Sequence, residues 1–388
     1  MFYAIALLWA LQDPTGQIQT ARQAYAKQAY SDAVTQLTPV VETAAKDPAD
    51  LSVLIESSRL LASVYREMGD PDKAGEVLGR ASELLTKSDP ADIRLAAILD
   101  DLAAVQRAQS SVVMAITSIE NAIRIRQLHP ESSRAELARD VTTDAMMRYQ
   151  RFGAADAIDP LQRAVREWDA ALPGDAQSLT AIEALAAAYR ESNRYADAEP
   201  LLRRALRLRE SVSGPEGAEV ISMVDSLAYV EVGLGKMTEA EAFYKRLLAL
   251  WAKNAGPEHP MVALTLDKMA EAYANMQRYD DAEKCAAEAE AMRAKMHLAS
   301  MGQEGRLLVM QIKVPEAEDM YRRAIQIGDL SKASDEAMDP LLRVYAKVLR
   351  DQKHIDEAVA VEKRIEEALD RKADREGRRP KPVPTRKP

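Results

Sequence analysis

The residues with the most chemical capacity in this chain are four histidines, His129, His259, His297 and His354, and a single cysteine, Cys285. A metal centre or a proton-relay pair needs such groups brought together, but the histidines are far apart in sequence. Two of them, His129 and His259, occupy matching places in proline-containing stretches. One cysteine excludes an intrachain disulfide and a cysteine zinc cluster, and Cys285 reads as a packed small residue. Gly233-Leu234-Gly235 lacks the third glycine and the preceding strand of a phosphate-binding loop. No nucleophile elbow or paired-histidine zinc motif is present. Carboxylate pairs such as Asp100-Asp101 and Asp280-Asp281 read as solvated in a chain with 29% charged residues. The residues therefore call for no enzyme activity, no cofactor and no metal. A net charge of −9 also argues against nucleic acid, whose phosphates need an excess of Lys and Arg.

The elements that position these residues are set by a rhythm of alanines. Ala33, Ala74, Ala115, Ala157, Ala198, Ala240, Ala282, Ala317 and Ala358 are separated by steps of 41, 41, 42, 41, 42, 42, 35 and 41 residues. A regular period in this range specifies a stacked solenoid rather than one closed globule. Composition agrees, with abundant Ala, Leu, Glu and Arg, only 15 glycines and no period-2 alternation. Each repeat pairs two helices. In one, Leu185, Ala186 and Tyr189 share the face of a first helix, Asn193-Arg194 makes the turn, and Ala198, Leu202 and Ala205 share the face of a second. The small residues let the two axes approach and the bulky ones fill the gaps, so Leu at Ala198 or Ala282 should overpack a helix crossing. Pro48, Pro90, Pro130, Pro173, Pro215 and Pro257 repeat in the same phase and punctuate the joins. The fold class expected is all-α: a right-handed superhelix of about nine helical hairpins.

These repeats resemble the tetratricopeptide repeat (TPR) family. The segment Gly256-Pro257-Glu258-His259-Pro260, followed by Val262 to Leu266 and by Arg278-Tyr279-Asp280-Asp281-Ala282-Glu283, is similar to the longer repeat of kinesin light chains and of many bacterial proteins. The resemblance spans about residues 15–370 and is strongest over 176–295. It implies a protein or peptide ligand on the concave face lined by the first helices. Arg66, Arg107, Thr143, Tyr149, Arg190, Tyr229 and Lys268 are the candidate groove residues, within a wider inward set that includes Arg59, Ser63, Asp100, Asp101, Thr142, Asp267 and Glu271. Arg66, Arg107 and Arg190 hold one repeat position and could pair with acidic side chains or a terminal carboxylate. Tyr149 and Tyr229 offer apolar platforms with a polar tip. The asparagine ladder of kinesin light chains is absent, with Ala184, Ser226 and Lys268 in its place.

Four segments follow. Residues 1–13 are apolar; they read as a secretory signal, a short anchor or the first turns of a capping helix, with export, the envelope and the cytoplasm all left open. Residues 14–295 hold seven long repeats. Residues 296–370 hold two divergent repeats and a cap, where Glu362 replaces a bulky apolar residue. Residues 371–388 are basic, proline-rich and expected to be disordered. The 35-residue step, with Met301-Gly302 and Gly305 where a first helix should begin, reads as a shortened linker or a kink. The function expected is a non-enzymatic scaffold. The alternative is a regulatory or envelope-assembly repeat protein working with a kinase, protease or secretion partner. Membrane contact enters only if residues 1–13 anchor, and the sequence leaves the oligomeric state open.

Overall fold

The structure, a computed structural model, describes residues 13–46, 51–130, 134–311, 313–330 and 333–376. The apolar segment 1–12 and the tail beyond Glu376 lie outside these. The chain is 86% helical, with 17 α-helices and no strand among the described residues. It divides into two compact units, the first ending at Leu234 and the second beginning at Gly235.

The first unit contains α1 (Pro14–Ala26), α2 (Tyr30–Ala44), α3 (Leu51–Glu67), α4 (Pro71–Ser88), α5 (Ile93–Ala108), α6 (Val112–Gln127), α7 (Arg134–Phe152), α8 (Ala154–Ala171), α9 (Leu179–Glu191), α10 (Tyr195–Ser213) and α11 (Ile221–Gly233). Successive helices pack as antiparallel hairpins. The second unit contains α12 (Met237–Ala255), α13 (Pro260–Asn275), α14 (Tyr279–Met310), α15 (Val314–Leu330), α16 (Asp335–Asp351) and α17 (Ile355–Arg375). Each of the nine marked alanines is the fourth residue of its helix. Eight of them are fully buried, and in seven of these the bulky residue one turn on is buried too, as at Leu37, Leu78, Leu161 and Leu202. This alternation of small and large side chains forms the interlocked core.

Caps explain where helices begin. Asp70 accepts a hydrogen bond from the Lys73 amide at 3.1 Å, with Pro71 in the first turn of α4. The His259 ring accepts one from the Met261 amide at 3.3 Å, with Pro260 opening α13, and stacks on Trp251. His259 is thus a cap, and His129 ties a linker to the Ala91 carbonyl at 2.8 Å.

The hairpin turns share one device. Five residues before the marked alanine the backbone enters the left-handed region, at Gln28, Gly69, Ser110, Asn193, Gly235, Gln277 and Lys353. A side chain there clashes with its own carbonyl, at roughly 1 kcal/mol. Gly69→Ala should therefore cost about 1 kcal/mol in urea unfolding although no heavy atom lies within 4 Å of the added carbon. An unchanged midpoint would contradict this reading of the turn.

The second unit departs from the expected pattern at the 35-residue step. There is neither a shortened linker nor a turn. The second helix of the Ala282 repeat and the first helix of the Ala317 repeat are one continuous 32-residue helix, α14. Nothing between Tyr279 and Met310 interrupts it: there is no proline, and alanine and glutamate dominate. Gly302 and Gly305 lie inside this helix, where they let α16 and α15 come close. A Cβ on Gly305 would stand 2.6 Å from the Tyr321 ring, and one on Gly302 would stand 2.8 Å from Leu341.

Continuity also corrects the expectation for Ala282, which is half-exposed because no following first helix folds back over it. Cys285 is half-buried as well, and burial pushes its thiol pKa up, which opposes reactivity. Helical order continues past residue 370 to Arg375, since Arg371 and Arg375 both bond Asp335, at 2.8 and 2.9 Å. Glu362 is held by Arg350 at 2.6 Å. Among the described residues no helix is long and apolar enough to cross a membrane.

Candidate partner-binding face

Stacking places equivalent first-helix residues beside each other, so pairs about 42 residues apart meet. Arg59 on α3 donates to Asp101 on α5 at 2.5 Å. At a shorter separation of 34 residues, Arg22 on α1 reaches Glu56 on α3 at 2.6 Å. These residues, with Ser52, Ile55, Leu60, Ser63 and Arg94, line a cleft of about 470 Å³ across α1, α3 and α5. Its apolar floor and fixed charges suit a segment with its own polar groups. The ion pairs are half-exposed and worth under about 1 kcal/mol each, so a ligand can exchange them cheaply.

A second cluster lies on α7, α9 and α11. The Tyr149 hydroxyl donates to Glu191 at 2.7 Å. Its pKa is pushed up to about 12, by burial first and then by that bond, so it stays a neutral donor. Arg190 donates to Ser226 at 3.3 Å and lies 6.0 Å from the centre of the Tyr229 ring. Tyr229 meets Tyr195 edge to face at 6.0 Å, and is 52% exposed despite its size. An exposed aromatic face beside a guanidinium is a ready contact for an extended chain.

Arg66 and Arg107 are exposed on α3 and α5 and make no ion pair among the described residues. Both are eight residues before a marked alanine, as are Tyr149 and Arg190. Thr143 is half-buried, its hydroxyl donating to the Arg139 carbonyl at 3.0 Å. Lys268 is half-buried on α13, in the second unit.

Several of the wider inward set have other duties. Thr142 is buried and accepts from the Trp168 indole at 2.9 Å. Asp267 pairs with Arg293 within its own hairpin. Asp100, read as solvated, instead holds Arg126 at 2.5 Å. Arg126 in turn binds Asp140, and both are about 95% buried. One guanidinium thus joins α5, α6 and α7. Burial, and then the neighbouring Asp100, lift the Asp140 pKa to about 8, against the opposing pull of Arg126. Asp140 went unnoticed in the sequence. The usable signal was a carboxylate at a position that is uncharged in every other repeat. Among the described residues no group of three or more His, Cys, Asp or Glu could hold a metal ion.

Comparison with known proteins places these repeats. Residues 178–219 and 220–295 each match the tetratricopeptide repeat family. No sequence among the curated proteins matches the chain. The C-terminal part of a TPR repeat-containing protein from Cytophaga hutchinsonii is 13% identical. The alignment covers 71% of this chain and 93% of that one, with a TM-score of 0.50. A signal-transduction ATPase with a tetratricopeptide repeat sensor, from Pyrococcus horikoshii, is 15% identical over 72% of this chain and 42% of that one, also with a TM-score of 0.50. At these identities the likeness establishes the fold alone. Tetratricopeptide repeats are in general protein-interaction scaffolds, and no enzyme family is found in this chain. Residues 178–295 are thus tetratricopeptide repeats, set within a longer run of like hairpins.

Proposed function

We propose that the protein is a non-enzymatic adaptor that holds an acidic segment of a partner protein along the first-helix face of its first unit. The observation that carries this reading is the repeated position eight residues before the marked alanine. It presents Arg66 and Arg107 exposed and without an ion pair, then Tyr149 and Arg190, on successive first helices. Each pair between an exposed guanidinium and a ligand carboxylate is worth up to about 1 kcal/mol, so the reading rests on several acting together along the face. Tyr229 supplies an apolar contact beside them. The cleft over α1, α3 and α5 adds a place for one side chain of the ligand.

Combined Arg66→Glu, Arg107→Glu and Arg190→Glu should weaken partner capture at least about a hundredfold and leave helicity by circular dichroism unchanged. Undiminished capture by a folded triple variant would remove the proposal.

A further inference from the structure

The continuous α14 leaves a gap in the stacking of the second unit. Elsewhere, apart from the exposed Gln23 on α1, the first-helix residue ten before the marked alanine is buried: Val64, Val105, Met147, Ala188, Ala272 and Val348 are each at most 3% exposed. Its counterpart on α14, Leu307, is 56% exposed. The residue four after the marked alanine is likewise buried in the other repeats except the last, where it is Glu362, as at Leu202 and Tyr244, yet Ala286 is exposed. Both sides of one inter-repeat joint are therefore bare. The apolar core is interrupted at the same place. Met292 and Met296 pack with Ala263, Leu266 and Ala289, whereas Leu298 begins a separate cluster with Tyr321 and Leu341.

We propose that a second copy of this chain fills the gap, the two α14 helices lying antiparallel so that Leu307 of each meets the Ala286-Ala287 stretch of the other. The occupant follows from the chain itself, because each bare surface is the complement of the other by the repeat pattern. In regular joints the fifth residue after one marked alanine reaches the ninth before the next, as in Glu120–Arg148 and Arg203–Glu231. That register sets Ala287 against Leu308. Within one chain the step of 35 residues, against 41 or 42 elsewhere, leaves no linker for the fold-back. Between two chains the same joint forms twice about a two-fold axis. Short hinges favour such exchange. Charge agrees with the antiparallel arrangement. The first half of α14 carries five acidic residues against Lys284 and Arg293, and the second half carries Lys295 and Arg306 against Glu304.

Sedimentation equilibrium of the full chain at micromolar concentration should give a dimer. Leu307→Glu, at a site exposed in the single chain, should raise the dissociation constant at least about a hundredfold with circular dichroism unchanged. Inserting a six-residue copy of the chain's own linker, residues 255–260, between His297 and Leu298 should give a monomer, because the first helix can then return onto its own repeat. A wild-type monomer at about 100 μM, far above the Kd of a specific interface, would overturn the proposal. So would a dimer unaffected by Leu307→Glu or by the insertion.

Discussion

Arg126→Met will lower the stability of the first unit by about 3–5 kcal/mol, a large part of the total for a domain of this kind. The guanidinium is 5% exposed and is shared by Asp100 and Asp140. Methionine fills much of its volume but satisfies neither carboxylate, and the loss comes from leaving two acids without a counter-charge. The deficit will grow with pH. A carboxyl whose folded pKa is raised contributes its stability below its unfolded value, near 3.8, and loses it as pH rises through the folded value, about 8 for Asp140. Removing the arginine raises that folded value further, so ionisation at alkaline pH costs the variant more than the parent. Urea melts at pH 5 and pH 8.5 check both parts. A deficit that shrinks with rising pH would contradict the assignment.

Tyr321→Ala will cost the second unit about 3–5 kcal/mol. The ring is fully buried, lies 6.4 Å from Tyr345 and presses on Gly305, and its hydroxyl donates to the Gly302 carbonyl at 3.3 Å. It joins Leu298 in packing α15 against the far half of α14. Without it the two helices enclose a cavity that the rigid backbone of α14 cannot collapse. Gly305→Ala alone should also destabilise, since its methyl has no room against the ring. In the double variant that methyl occupies space Tyr321 vacated, so the two losses will fall short of additive. Strict additivity in thermal melts would show that the two residues do not touch.

These two sites mark how far the sequence is legible. The hairpins were readable because helix packing demands a small residue at each crossing, and Ala33 to Ala358 repeat at that demand. The turns were readable only in part. Gly69 and Asn193 announce a left-handed residue, whereas Gln28, Ser110, Gln277 and Lys353 adopt it without a compositional sign. The continuity of α14 was present as an absence, the lack of any proline from Tyr279 to Met310, while Gly302 and Gly305 pointed the other way. The alanine count treats that stretch as a short repeat because period alone does not register a missing bend. Arg126 was not legible, since its two partners sit on the helices either side of its own and depend on the depth of each side chain. On the candidate face, Arg66 and Arg107 were identifiable from spacing. The neighbours of Tyr149 and Arg190, which are Glu191 and Ser226, emerge only once α7, α9 and α11 are stacked.

The adaptor reading rests on which surface of the first unit meets the partner. A photo-reactive amino acid at position 107, on a first helix, can be compared with one at position 124 on the second helix α6, both irradiated in extract of the native host. The adaptor reading predicts one dominant cross-linked protein from position 107, lost when Arg66 and Arg190 are reversed to glutamate, and none of that protein from position 124. The same protein cross-linked from position 124 but not from 107 would contradict it.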